Sequence, residues 1–227
     1  MKSTLTWKML KGKKATVSIS TGNKKLVSNG IVMFLIWSIP ALLTCPFATA
    51  LCKLFCYARK AERNYPDCLP SRERNFRFSM TDLFVGFMTK AIHYVCGLKA
   101  YRNAKRIVFR IHESGDFYNQ KYTDKWIEIC RNCLDIDNLV FMAYTKSAVY
   151  FEKYGKDLPK NLKMRGSIWA DTTPEQAELL RKLFPIYTAC SQEEWDALPE
   201  EQKCHCKDCA SCQKCWDSIV DIYCVIH

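Results

Sequence analysis

Apolar and polar residues divide the chain into a regular series of elements. Ala15-Thr16-Val17-Ser18-Ile19-Ser20 alternates, and turn signals at Gly22-Asn23 and Asn29-Gly30 follow it, a pattern that predicts a hairpin at a sheet edge. Ile31 to Trp37 is a continuous apolar run, as in a strand buried on both faces. It leads into an apolar loop, so that the 22 residues from Ile31 to Cys52 carry no charge. That length is enough to span a bilayer. Pro40 and Pro46 interrupt it, however, and cysteines of ligand type lie in or just beyond it, so a buried strand with a loop is the reading and no membrane is expected.

Helical spacing comes next. Arg59 to Asn64 continues a short helix that Pro66 stops, and a polar, Arg-rich connection containing Cys68 runs on to Ser79. Thr81 starts a better helix, with Leu83, Phe84, Phe87, Ile92 and Val95 at helical spacing and Gly97 as its stop. Ile107 to Ile111 reads as a strand, and Tyr122 to Leu134 as a helix with Trp126, Ile129, Cys130 and Cys133 on one stripe. The last two form a CxxC, yet they share a face that must be buried and are read as core. Leu139 to Tyr144 is a strand, Ser147 to Tyr154 a helix, and Leu162 to Ala170 a strand made less apolar by Lys163 and Arg165. Thr173 is a natural N-cap, Pro174 suits the first turn, and Gln176 completes a capping box before Leu179, Leu180 and Leu183. Pro185 to Thr188 is a short strand, and Ser191 with Glu194 caps one more helix.

Regular alternation of strand and helix predicts an α/β fold with parallel strands and right-handed crossovers. About five such units fit, whereas a closed eight-stranded barrel typically takes ~250 residues. A partial (β/α) barrel is therefore expected, with a doubly wound sheet as the competing architecture. Three regions follow: a basic N-terminal hairpin extension over 1–30, the barrel core over 31–190, and a C-terminal helix with a cysteine-rich tail over 191–227.

Charge and cysteine content narrow the chemistry. The 34 Lys and Arg exceed the 23 Asp and Glu, giving +11, which suits nucleic acid as a partner or simply a basic solvated surface. Residues 1–30 hold seven lysines and no acid, read as a solvated face. Fourteen cysteines are many, and several sit too close together for independent disulfides. The opening MKSTLTWKMLKGKK has no apolar segment with a cleavage site, so reduced thiols binding metal in the cytoplasm are expected.

Two cysteine groups stand out. Cys45, Cys52 and Cys56 share one loop, with Phe55 before the last, and three thiolates are one short of a closed site. Further polar residues cluster just after the predicted strands: His112-Glu113-Ser114-Gly115-Asp116, then Thr145-Lys146-Ser147, then Asp171. That edge holds the active site in barrels and open parallel sheets alike. The Lys146 ammonium has a plainer alternative, an ion pair with an acid on a helix surface. In the tail, Cys206, Cys209, Cys212 and Cys215 repeat as C-x2-C-x2-C-x2-C with Cys204 just upstream, spacing that suits an iron–sulfur cluster, with zinc as the rival. Cys190 or His205 is an alternative ligand there.

Gly22-Asn23-x-Lys25-Leu26, Ser38-Ile39-Pro40, Cys45-Pro46-x-Ala48-Thr49, Cys56-Tyr57-Ala58, Glu113-Ser114-Gly115-Asp116-Phe117, Ala143-Tyr144-Thr145-Lys146-Ser147 and Cys212-x2-Cys215-Trp216 resemble the bacteriophage "gene product 88" family over roughly residues 20–217. That family in turn resembles radical S-adenosylmethionine (SAM) enzymes. The resemblance implies a partial barrel, an N-terminal [4Fe–4S] cluster on Cys45, Cys52 and Cys56, and an auxiliary site on four of Cys204, Cys206, Cys209, Cys212 and Cys215. It also implies a location in the infected host's cytoplasm. The loop spacing, C-x6-C-x3-C, differs from the CxxxCxΦC usual in that superfamily. Phe55 would pack near the adenine of SAM, and Glu113, Ser114, Gly115 and Asp116 stand where the superfamily binds the SAM amino group. Thr145, Lys146, Ser147 and Asp171 would contact SAM or substrate. The activity implied is reductive cleavage of SAM with hydrogen abstraction from an unknown substrate, fed by an electron donor. A different class of function remains beside it: a non-catalytic iron–sulfur or zinc protein that binds nucleic acid or a host protein.

Overall fold

A computed structural model describes residues 4–6, 17–23, 25–155, 157–205 and 208–226. Eight strands form one sheet: β1 (Thr4–Thr6), β2 (Ser18–Ser20), β3 (Val32–Trp37), β4 (Arg106–Ile111), β5 (Leu139–Thr145), β6 (Leu162–Ile168), β7 (Ile186–Cys190) and β8 (Ile222–Val225). The first two pair antiparallel, as do β2 and β3, and the turn signals at Gly22-Asn23 and Asn29-Gly30 lie between β2 and β3. From β3 to β8 every pairing is parallel. Spatial order follows chain order throughout. A doubly wound sheet reverses direction partway, so the strand order removes that alternative. Among the described residues no pairing joins β8 back to β1, and the sheet is open.

Laying each parallel strand beside the last with right-handed crossovers sends the helices to one face. That face buries Leu35, Trp37, Ile107, Phe109 and Phe141 against Phe84, Met88 and Ile92 of α4 (Phe84–Gly97). Trp126, Ile129 and Cys130 of α6 (Gln120–Asn132) and Leu180 of α7 (Pro174–Leu183) complete the layer. Cys130 and Cys133 are fully buried here, as core residues. Because side chains alternate along a strand, the intervening residues Phe34, Ile36, Val108, Val140 and Met142 point the other way. Among the described residues none of the longer helices meets them. Instead Leu26 and two tail residues, Ala210 and Trp216, cover that face, with the Trp216 ring edge-on to Phe34 at 6.0 Å.

The connection expected from Arg59 to Ser79 is two helices, α2 (Tyr57–Asn64) and α3 (Cys68–Ser79). Hydrophobic periodicity misses α3 because its inward side is mostly polar: Arg72, Asn75 and Ser79 are buried beside Phe78. Asn75 accepts from Ser18 N at 2.9 Å and donates to the carbonyls of Ser18 and Ser38, binding α3 to β2. Leu83 lies before α4 and is exposed rather than on its buried stripe. The expected Ser147–Tyr154 helix shortens to a 3₁₀ turn, Ala148–Phe151. Thr173 caps α7 as expected, but the Gln176 amide donates to the carbonyls of Phe47 and Lys146 instead of closing a capping box. Among the described residues no helix is long and apolar enough to cross a membrane.

The sequence pattern gives no sign of β8, nor of what holds the tail inside. Arg165, placed by β6 on the tail side and only 1% exposed, does this. Its Nε donates to Cys215 O at 3.0 Å, Nη1 to Val220 O at 2.9 Å and Ile186 O at 3.3 Å, and Nη2 to Lys214 O at 2.9 Å and Ser218 O at 2.6 Å. Replacing Arg165 by Met keeps the volume and removes all five of these hydrogen bonds. Loss of about 4 kcal/mol in denaturant unfolding is expected, with protease cleavage within 204–220 before the core opens.

Candidate functional site

Three helices and three strand ends shape the loop that carries Cys45, Cys52 and Cys56. Leu42 enters the left-handed region at φ 63°, Cys45 N donates to Leu42 O at 3.2 Å, and Thr44 Oγ1 donates to Pro40 O at 2.6 Å. Thr49 then caps α1 (Ala50–Leu54), accepting from Cys52 N. Behind the loop, Glu62 Oε1 accepts from Ala41 N at 2.8 Å and from Arg72 at 2.9 Å, a pair whose side chains are only 10% and 6% exposed. Gly115 supports it from below at φ 87°, where a Cβ would lie 2.3 Å from Ile39 Cγ1 and 2.6 Å from Thr44 Oγ1. Only glycine meets both demands.

Asp116 ties this loop to the next strand. Its N–H donates to Thr44 O; its carboxylate accepts from Thr145 Oγ1 and Phe117 N at 2.7 Å and from Lys146 N at 2.8 Å. Burial raises its pKa despite these donors. Asp116 and Thr145 are thus engaged with each other, and Thr145 Oγ1 also accepts from Ser147 N. Lys146 is buried and donates to Ser167 O at 2.9 Å, with the Trp169 ring 5.9 Å from its ammonium, rather than pairing with an acid on a helix surface. Burial lowers its pKa, while the negative charges of Cys52, Asp116, Asp171 and Cys45 act in the opposite direction.

Asp171 reaches across to accept from Leu51 N at 2.7 Å, at the start of α1. Burial works against its charge, yet that amide and the Thr49 hydroxyl hold it below the usual carboxylate range. Glu113 is half-buried, its carboxylate accepting from Asn23 Nδ2 at 2.6 Å and its carbonyl from the Tyr57 hydroxyl. Ser114 O accepts from Ile39 N, while among the described residues Ser114 Oγ and Ser147 Oγ are buried with no partner. Phe55 stacks on Trp169 at 6.3 Å and 17°. Trp169 went unnoticed in the sequence because nothing in its spacing separates it from a strand-end core residue.

The strand ends therefore bring Cys45, Cys52, Asp116, Lys146 and Asp171 within electrostatic reach of one another. Burial, then the charge of Asp116, pushes the Cys45 thiol up to about 12; Cys52 is also raised by burial, with Lys146 pulling it down. Both feel Cys56 as well. Among the described residues no three Cys, His, Asp or Glu side chains converge as one ion requires. A single zinc draws every thiolate to about 2.3 Å of one point, whereas a cluster takes its thiolates on separate irons. Three thiols beside a buried ammonium are a donor set that fits either group.

In the tail, Cys204, Cys209, Cys212 and Cys215 line one open cleft of about 260 Å³, between α9 (Cys209–Cys212) and α10 (Lys214–Asp217). Cys206 lies outside the described residues. Cys204 N donates to Tyr223 O at 2.8 Å, Cys209 N donates to Lys25 O at 3.2 Å, and Asp208 caps α9. Burial raises the Cys215 thiol, against the Tyr144 hydroxyl that donates to it and the guanidinium charges of Arg165 and Arg110. Cys190 and His205 are engaged elsewhere, the thiol with Cys224 O and the ring with Glu200 and Trp195.

A family model described as "Gene product 88" matches residues 8–218. A relative described as "Gene 88 protein", from Mycobacterium phage D29, is 30% identical over 114 residues, which is 47% of this chain and 45% of that protein. The match thus spans under half of the relative's length. No solved structure matches.

His112 also acquires a defined role. It takes φ 66°, is 3% exposed, and its Nε2 meets the Tyr122 hydroxyl at 2.8 Å, which in turn accepts from Trp37 Nε1 at 3.0 Å. Burial, then Arg110, lowers its pKa from 6.5 to about 3. The unfolded chain therefore binds a proton in that window that the folded chain does not. This contribution is full above pH 6.5 and is lost as pH falls toward 3, at up to about 1.4 kcal/mol per unit. Asp116 has the opposite sign but is common to both proteins when His112→Asn, which tolerates positive φ, is compared with the parent. Depressed carboxylates such as Asp171 give both proteins an acid limb, and urea unfolding across this range should show a steeper one in the parent than in the variant.

Proposed function

The chain belongs to the gene product 88 family, and we propose that it is an iron–sulfur enzyme of the radical SAM kind, built on a partial barrel. One observation carries this reading: the three-cysteine loop follows the first of six parallel strands, and Asp116, Lys146 and Asp171 from the ends of the next strands act on its thiols. Cys45, Cys52 and Cys56 would hold a [4Fe–4S] cluster, leaving a coordination position for SAM. When bound, cluster and SAM supply reductive C–S cleavage and hydrogen abstraction from substrate.

The chain's own residues prepare the site. The buried Lys146 ammonium offsets the negative charge of thiolate ligands, and Asp171 fixes the start of the helix that presents Cys52. Glu113, oriented by Asn23, is a carboxylate suited to an amino group, while the Ser114 and Ser147 hydroxyls are buried behind the loop. Phe55 and Trp169 offer a flat surface for a nucleobase. Asp116 and Thr145 hold the strand ends in register, and Gly115 admits the loop. The tail cysteines would bind a second cluster or zinc against the opposite face, in a cytoplasmic protein of the infected host.

Anaerobic purification should yield a brown protein with equal iron and acid-labile sulfide. Dithionite with SAM should release 5′-deoxyadenosine and methionine. Cys52→Ala should abolish that release and the first cluster while the tail keeps its metal. A colourless zinc protein that releases no 5′-deoxyadenosine would overturn the proposal in favour of a non-catalytic binding role.

A further inference from the structure

Beside the cysteine loop lies a basic surface whose charges neither the core nor the cluster reading uses, bordered by Phe55 of the cluster site. From Leu42 to Ala61 the chain has no acidic residue, and Lys53, Arg59 and Lys60 there, with Arg63 beyond, are all exposed. On α2, Arg59, Lys60 and Arg63 fall on one outward face, since residues three and four apart are neighbours on a helix. Glu62 points inward to Arg72.

Some exposed basic residues elsewhere are paired, Lys121 with Asp82, Arg131 with Asp157 and Lys153 with Asp124, while others, Lys99, Lys105, Lys160 and Lys163 among them, form no ion pair among the described residues; what sets α1 and α2 apart is what accompanies their charges. Among the described residues the four on α1 and α2 form no ion pair. The carboxylates that approach this surface, Glu113 and Asp171, are held by Asn23 and by the Leu51 amide.

Aromatic rings interleave with these charges. Tyr57 is 60% exposed although its hydroxyl is anchored to Glu113 O, so its ring is presented at a fixed angle. Phe55 is 43% exposed with one side against Trp169. Cations that track a phosphate backbone, alternating with rings on which bases stack, are the chemistry of single-strand recognition. Duplex binding has no use for exposed rings.

We propose that the face running from Lys53 to Arg63 binds single-stranded nucleic acid across the mouth of the cysteine loop. It does not depend on cluster chemistry, because it requires only the folded chain. If both hold, the substrate is a nucleotide within a strand.

The test is fluorescence anisotropy of a labelled single-stranded DNA of about 20 nucleotides with the full-length protein. Reversing Lys53, Arg59, Lys60 and Arg63 to Glu should weaken binding at least about tenfold and reduce the log–log salt slope by about 3. Reversing Lys99, Lys105, Lys160 and Lys163, at the opposite edge of the sheet, leaves the affinity within about twofold. Tyr57→Ala should cost about tenfold on the single strand and little on a duplex of the same sequence. Circular dichroism melts establish that each variant is folded. Equal losses from both sets of reversals, or equal binding of single strand and duplex, would overturn the proposal. So would an absence of binding at low salt, in which case an acidic protein becomes the partner to seek.

Discussion

A guanidinium buried beneath the sheet decides the architecture of this protein. Taking an arginine out of water costs several kcal/mol unless all its donors are used, and the tail has the complementary problem of buried carbonyls at the end of a one-turn helix and in the loop after it. Arg165 and the tail resolve both at once, through contacts to Cys215, Val220, Lys214 and Ser218, with Ile186 added from the neighbouring strand. The face of the sheet away from the longer helices is then covered by the two short tail helices, α9 and α10. Trp216 packs there, and the four described tail cysteines gather along one cleft as a result.

The opposite demand operates at the C-terminal edge, where polar groups are concentrated and satisfied mostly by one another. Asp116 is the hub: its amide holds the loop after β3, and its carboxylate holds the end of β5. Strand β5 thereby serves both cysteine groups within three residues. Tyr144 points to the tail and donates to Cys215, while Thr145 and Lys146 turn toward Asp116 and the first loop. A change at either group has a short path to the other through this strand end.

What lies outside that edge differs in character. Unpaired exposed cations occur on several elements, but on α1 and α2 they stand together with exposed rings beside the cysteine loop. A net charge of +11 says little about where a polyanion would sit. Its distribution says more, because on α1 and α2 the cations alternate with exposed rings in a stretch, Leu42 to Ala61, that has no acidic residue.

Apolar periodicity by itself determined the parallel strands from Ile31 to Cys190, the burial of Cys130 and Cys133, and the caps at Thr173 and Ser191. Those features rest on local chemistry, which one stretch of chain contains in full. It also located the polar residues at strand ends, since in a parallel sheet chain order translates directly into a common edge. Three things were absent from it: α3, whose buried face is Arg72, Asn75 and Ser79; the tail strand β8; and the burial of Arg165. Each depends on partners distant in sequence, such as Glu62 for Arg72 or Lys214 for Arg165. A polar side chain looks solvent-facing until the group that satisfies it is known, and only the tertiary structure supplies that group.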